Sequence, residues 1–151
     1  MNELVLPAQL HNRIEAEGEA AYPNECCGIL YGRDVSDGGV TRRIVEKIEA
    51  VRNEFEAGEQ YHRFLITPQT MMKAEKTAGT DGLAVLGFYH SHPDHPARPS
   101  QYDLEHAWPY YSYVIVAIEK REAGAMTCWV LDEAENQFKE QEILPTVMND
   151  E

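Results

Sequence analysis

Apolar residues at Leu6, Leu10 and Ile14 recur at helical spacing, with Glu15, Glu17 and Glu19 left to solvent. The pattern predicts a first helix over Leu6 to Ala20, ended by Tyr22-Pro23-Asn24. Cys27 to Gly32 then reads as a short buried strand, and Asp34 to Gly39, with Asp, Ser and two glycines, as a turn. Val40 to Val51 alternates loosely, as a longer strand would. Asn53 to Gln60 is polar and loop-like, and His62 to Ile66 reads as another strand. Thr67-Pro68 supplies an N-cap followed by proline at the first helical position, so a second helix is expected over Pro68 to Ala78, stopped by Gly79-Thr80-Asp81-Gly82. Leu83 to Tyr89 is a continuous apolar run of strand length. Pro93 to Pro99 is a loop with three prolines, and Ser100 to Ala107 a third helix ended by Pro109. Tyr113 to Ile118, Gly124 to Leu131 and Gln137 to Ile143 complete the pattern as strands separated by polar turns. The expected fold is a mixed α/β domain whose helices flank one sheet.

Composition narrows the function classes. A chain of 151 residues, 43% hydrophobic, is expected to form one domain with a substantial core. The formal net charge is -13, from 26 acidic against 13 basic residues, which repels nucleic-acid phosphate and anionic membrane. Neither is an expected partner. Cys26, Cys27 and Cys128 are odd in number, and two are neighbours, so no disulfide framework is predicted. No apolar segment of signal length stands at the N-terminus, and no run approaches the ~20 residues that span a bilayer. A reduced, cytoplasmic setting is the expectation.

The chemistry concentrates in His90-Ser91-His92, Ser100 and Asp103, spaced His-x-His-x7-Ser-x2-Asp. Residues two apart on a strand share a face, so His90 and His92 can converge on one ion, with Asp103 arriving from the next element. Two imidazoles and a carboxylate hold a catalytic zinc while leaving the fourth position to water. A lone histidine beside an apolar run is more often a hydrogen-bonded core residue; two on one face near a carboxylate are harder to read that way. Asp94 and His95 are further donors of the right type but sit in a loop with no fixed facing, and His106, three residues after Asp103 on the expected third helix, either supports the site or is simply exposed; all three are left outside the ligand set. Ser100 and Asp103 also make an ordinary helix start, serine as N-cap and an acid in the first turn, which needs no metal. The two roles are compatible. Tyr110, Tyr111 and Tyr113 are assigned to the sheet and its edge, and Trp108 and Trp129 to the core as anchors.

Asn24-Glu25-Cys26-Cys27-Gly28 before a strand, and Gly87 to Pro93 with Ser100 and Asp103, together resemble the JAMM (MPN+) zinc metalloprotease family. The likeness covers nearly the whole chain. The compact length looks like the bacterial stand-alone branch, whose members process ubiquitin-like sulfur-carrier proteins. The resemblance implies a single JAMM/MPN domain over residues 1–151, of cytidine-deaminase-like architecture. It implies one Zn2+ per chain, held by His90, His92 and Asp103, with Glu25 as general base and Ser100 supporting the tetrahedral intermediate. By spacing alone Glu25 is an unremarked charge 65 residues before His90. The implied activity is a peptidase or isopeptidase cutting after the C-terminal Gly-Gly tail of such a carrier, with the tail held extended beside a sheet edge. The insertions that grip ubiquitin in the eukaryotic branch are absent here, so cleavage of ubiquitin itself is left open. The alternative is a non-catalytic MPN-type interaction module. A deaminase is disfavoured by the lack of a Cys-x-x-Cys pair. Cys27 is read as a small buried hydrophobe and Cys26 is left open, since a catalytic thiol wants a histidine partner and a positive setting.

Overall fold

The computed structural model describes residues 3–51 and 67–146. The expected loop at 53–60 and strand at 62–66 lie outside the described residues. In chain order the elements are β1 (Glu3–Val5), α1 (Ala8–Ala21), β2 (Cys27–Asp37), β3 (Val40–Val51), α2 (Pro68–Thr80), β4 (Ala84–Pro93), α3 (Gln101–His106), β5 (Ser112–Glu119), β6 (Glu122–Asp132) and β7 (Gln137–Leu144). Thr67 caps α2 by accepting the Thr70 N–H at 3.3 Å, with Pro68 in the first turn. Met71, Ala74 and Ala78 form the buried stripe of α2. The first turn is shorter than expected. β2 runs on to Asp37, and only Gly38 and Gly39 turn, both at positive φ (60° and 85°). Two left-handed residues make the two-residue hairpin whose twist matches its strands.

The strands form one mixed sheet in the order β1-β3-β2-β4-β5-β6-β7, closed by β1, which pairs in parallel with both β3 and β7. Leu6 therefore does not begin the helix. It prolongs β1, its N–H donating to the Leu144 carbonyl at 2.8 Å, and α1 starts two residues later. The physical reason is burial: Leu4, Val5 and Leu6 in succession are at most 2% exposed, which an amphipathic helix face does not provide.

Two cores occupy the two faces of the sheet. One gathers Leu30, Leu86, Tyr89, Val114, Val116 and Ile118 around Ile14 of α1; the other gathers Ile29, Tyr31, Val85, Phe88 and Tyr113 around α2. Leu86 and Phe88 fall in different cores because β4 carries one extra residue at Leu86, where its register with β2 shifts. The bulged Leu86 carbonyl accepts from Arg43 Nη1 at 2.9 Å. Arg43, itself buried, also meets Ser112 Oγ at 3.2 Å and Asp34 Oδ1 at 3.2 Å. Backbones approach closely here: a Cβ on Gly87 would lie 1.8 Å from the Ser112 carbonyl oxygen. The tryptophans are not core anchors. Trp108 is 42% exposed at the rim beyond α3, and Trp129 is half-buried on β6. Ring size argued for burial, but Trp108 lies outside any strand or helix, in the segment between α3 and β5.

Candidate metal centre

β4 lies inside the sheet, antiparallel to β2 and parallel to β5, and its C-terminal half carries the donors. His90 sits opposite Cys27 on one side and Ile115 on the other; His92 lies opposite Ala117. Both point from one face, as the alternation of a strand requires, with ring centroids 4.9 Å apart. Asp103 reaches them from the first turn of α3. The facing atoms are His90 Nε2, His92 Nε2 and Asp103 Oδ2, separated by 3.1 Å between the histidines, 3.2 Å from His92 to Asp103 and 3.5 Å from His90 to Asp103. A tetrahedral zinc with bonds of about 2.0–2.1 Å has ligand-to-ligand edges of about 3.3–3.4 Å. The triangle has the size that such an ion needs. No other group of three such donors is found among the described residues.

The surroundings prepare the donors. His92 Nδ1 lies 2.9 Å from the Pro96 carbonyl, which fixes the proton on Nδ1 and leaves the Nε2 lone pair facing inward. Burial holds His90, 1% exposed, below the ordinary histidine pKa, which favours a neutral imidazole. Burial pushes Asp103 upward, but the histidines and the Ser100 N–H outweigh it and keep the carboxylate ionised. α3 begins with a capping box: Ser100 Oγ accepts the Asp103 N–H at 3.0 Å and Asp103 Oδ2 accepts the Ser100 N–H at 2.8 Å. The ordinary helix start and the donor role are thus carried by the same side chains. Ser100 is exposed, and capping uses an oxygen lone pair while leaving its O–H free to donate.

Glu25 stands two residues before β2. The β2–β4 pairing, Cys27 opposite His90, continues outward through Cys26 and Ser91 and brings Glu25 to the end of β4 that carries His92. Glu25 is 6% exposed, and its carboxyl is pushed up to about 9 by burial and then by the charge of Asp103. A dication held by the donors would relieve the repulsion between this buried acid and Asp103. His90 and Asp103 open onto a cavity of about 390 Å³ walled by Phe88, Tyr102, Trp108, Tyr113, Ile115 and Phe138. Glu25 lines a separate hollow with Glu17, Cys26 and Val51. Base candidate and donors thus line different recesses.

The remaining candidates fall outside the triangle. Asp94, at a positive φ of 56°, accepts from the Tyr22 hydroxyl at 2.5 Å and the Lys120 N–H at 2.8 Å. His106 stacks on Tyr102 and bonds to its carbonyl at 2.8 Å, and His95 is exposed. Burial pushes the Cys26 thiol up to about 11, far from a nucleophilic thiolate, and Cys27 is 2% exposed. Sequence reasoning passed over Ser91, whose oxygen accepts the Cys26 N–H at 2.8 Å. Its place between two histidines on an alternating strand already put it on the opposite face.

A family model described as prokaryotic homologues of the JAB domain matches residues 7–132. Desampylase of Haloferax volcanii is 36% identical over 129 residues, covering 82% of this chain and 81% of that protein. Desampylase of Pyrococcus furiosus is 30% identical over 122 residues, covering 80% and 75%. A probable TtuB-protein conjugate cleaving protease of Thermus thermophilus is 36% identical over 112 residues, covering 74% and 68%. A solved structure from Desulfitobacterium hafniense superposes with a TM-score of 0.75 at 30% identity, covering 93% of this chain and 91% of that one.

Proposed function

This chain belongs to the family of prokaryotic JAB-domain homologues, the JAMM/MPN+ hydrolases that its motif resembles, and on that footing we propose that it is a zinc-dependent peptidase and isopeptidase. Its substrate is the bond after the C-terminal Gly-Gly tail of a ubiquitin-like sulfur-carrier protein. The observation that carries the reading is the triangle of His90, His92 and Asp103, whose donor atoms all lie within 4.8 Å of one another. The names of the relatives support a conjugate of a ubiquitin-like protein as substrate. One domain holding one zinc, working in a reducing cytoplasm, completes the reading, in keeping with three free cysteines. No helix among the described residues is long and apolar enough to cross a membrane.

His90, His92 and Asp103 would hold the ion. When bound, zinc supplies Lewis acidity to the scissile carbonyl and lowers the pKa of a coordinated water to about 7. Glu25, buried beside the donors, takes the proton of the attacking water and delivers it to the leaving amine. The positive charge of a bound ion would favour the ionised form of Glu25, the form that accepts the proton. Ser100 donates its O–H to the oxygen of the tetrahedral intermediate from the rigid start of α3. The closed sheet holds His90 and His92 on β4, and the Glu25 segment leads directly into the adjoining β2, so little reorganisation accompanies the reaction.

The test is hydrolysis of a carrier conjugate by purified protein, with and without a chelator, alongside Glu25→Gln. Cleavage is expected only in the untreated wild type, with zinc near one per chain. Cleavage that survives both chelation and Glu25→Gln would overturn the mechanism, and a zinc-free protein that binds carriers without cutting them would be an MPN-type interaction module instead.

A further inference from the structure

Glu25 lies on no regular element, between the end of α1 and the start of β2, yet a general base must be held to within a hydrogen bond of its water. Three bonds tie its flanks to the end of β4. The Cys26 N–H donates to Ser91 Oγ at 2.8 Å, and the Ser91 N–H donates to the Cys26 carbonyl at 3.2 Å. On the other flank the Tyr22 hydroxyl donates to Asp94 Oδ2 at 2.5 Å. Residues 22–26 are thereby stitched to residues 91–94, the segment that contains His92. Asp94 is itself fixed: its N–H donates to the Ile118 carbonyl at 2.7 Å, and Oδ1 accepts the Lys120 N–H. Ser91 is completely buried, on the face of β4 away from the donors.

We propose that Ser91 and the Tyr22–Asp94 pair are positioning residues that set Glu25 against the metal donors, and that none of them binds the ion. The proposal rests on the reading of Glu25 as base. Ser91 uses the strand's alternation: His90 and His92 face the donor triangle, while the residue between them grips the backbone of the residue after the base. Tyr22 and Asp94 do the same from the far flank, through side chains outside the His-x-His motif. One short length of β4 then fixes ligand and base together, and their separation does not depend on the loop's own stability.

The experiment compares Ser91→Ala, Ser91→Thr and Tyr22→Phe with the wild type and Glu25→Gln. Two readouts are taken: kcat and KM on a carrier conjugate, and the pH midpoint of the visible spectrum of the cobalt(II)-substituted protein. Metal affinity is measured by competition with a chelator. The expected result is a kcat lowered about tenfold or more in Ser91→Ala and Tyr22→Phe, with KM and metal affinity within twofold of wild type. Ser91→Thr, which keeps the hydroxyl, recovers most of the loss. The cobalt midpoint moves in the direction seen for Glu25→Gln. An unchanged kcat, or a metal affinity that falls in step with kcat, overturns the proposal, the latter because the ties would then be holding the histidines. If the wild type cleaves no conjugate, the proposed reaction fails, and the cobalt spectra decide the positioning alone. A midpoint that shifts in Ser91→Ala as in Glu25→Gln supports it, and a fixed midpoint overturns it.

Discussion

At the scale of single residues, Glu25 sets stability against chemistry. Its carboxyl, ordinarily near 4.5, is pushed up to about 9, because ionising it means charging a buried group beside Asp103. A folded-state pKa raised above the unfolded value stabilises the fold fully below about 4.5, and that contribution is lost as pH rises toward about 9. Metal-free protein is therefore expected to lose stability steadily across that window. At pH 7, Glu25→Gln should make the metal-free chain more stable by on the order of 2–3 kcal/mol while abolishing turnover. Thermal melts of both metal-free proteins from pH 5 to 9 check this. A wild-type melting temperature that tracks the variant throughout would contradict it. The proposed base was invisible to spacing, since its proximity to His92 is created by a pairing between β2 and β4 that spans more than 60 residues of chain. Only the resemblance of Asn24 to Gly28 pointed to it. His90 and His92, in contrast, were legible directly, because strand alternation is a local rule.

At the scale of elements, α3 has six residues and no buried side chain, so its start matters more than its length. Ser100 has two separable duties there. Ser100→Ala removes the cap, costing about 1 kcal/mol, and removes the hydroxyl donor, a contact of a kind whose loss lowers kcat by about 10²–10³. Ser100→Gly retains most of the capping stability without the hydroxyl. The two variants should fall together in kcat and differ in stability, which turnover assays paired with denaturant melts will show. If glycine restores turnover, the serine acts only through the helix. Most helices and strands were read from the sequence to within a few residues, since amphipathic periods and Pro or Gly punctuation are local signals. β1 was not: three residues carry no period, and its partners lie about 40 and 140 positions along the chain. The same absence of local signal misplaced Leu6, whereas ring size alone sent Trp108 to the core.

At the scale of the whole molecule, β1 decides whether the sheet is open or closed. Leu4, fully buried, sits between Arg43 of β3 and Ile143 of β7 and joins the two ends of the strand order. Leu4→Ala is expected to cost about 2–5 kcal/mol, as burial-site truncations do. β4 lies on the far side of the ring of strands from β1. Zinc stoichiometry in the folded protein should therefore remain near one, measured by metal analysis beside the denaturant midpoint. Loss of the metal with only mild destabilisation would mean that the closure shapes the donors as well. The chain carries a formal net charge of -13, and its aromatic cavity also holds Asp103 and Glu105, so charge favours the approach of a basic partner.

Asp103 Oδ2 accepts the Ser100 N–H and faces both histidines with the same atom. Under the proposed zinc reading, ion capture and local folding of α3 would share one oxygen, and reciprocity would follow: whatever steadies the helix would raise affinity for the ion, and the ion in turn would suppress fraying of the helix. Slow amide exchange across 101–106 would then report occupancy from the backbone alone, making the short helix a built-in gauge of whether the protein is loaded.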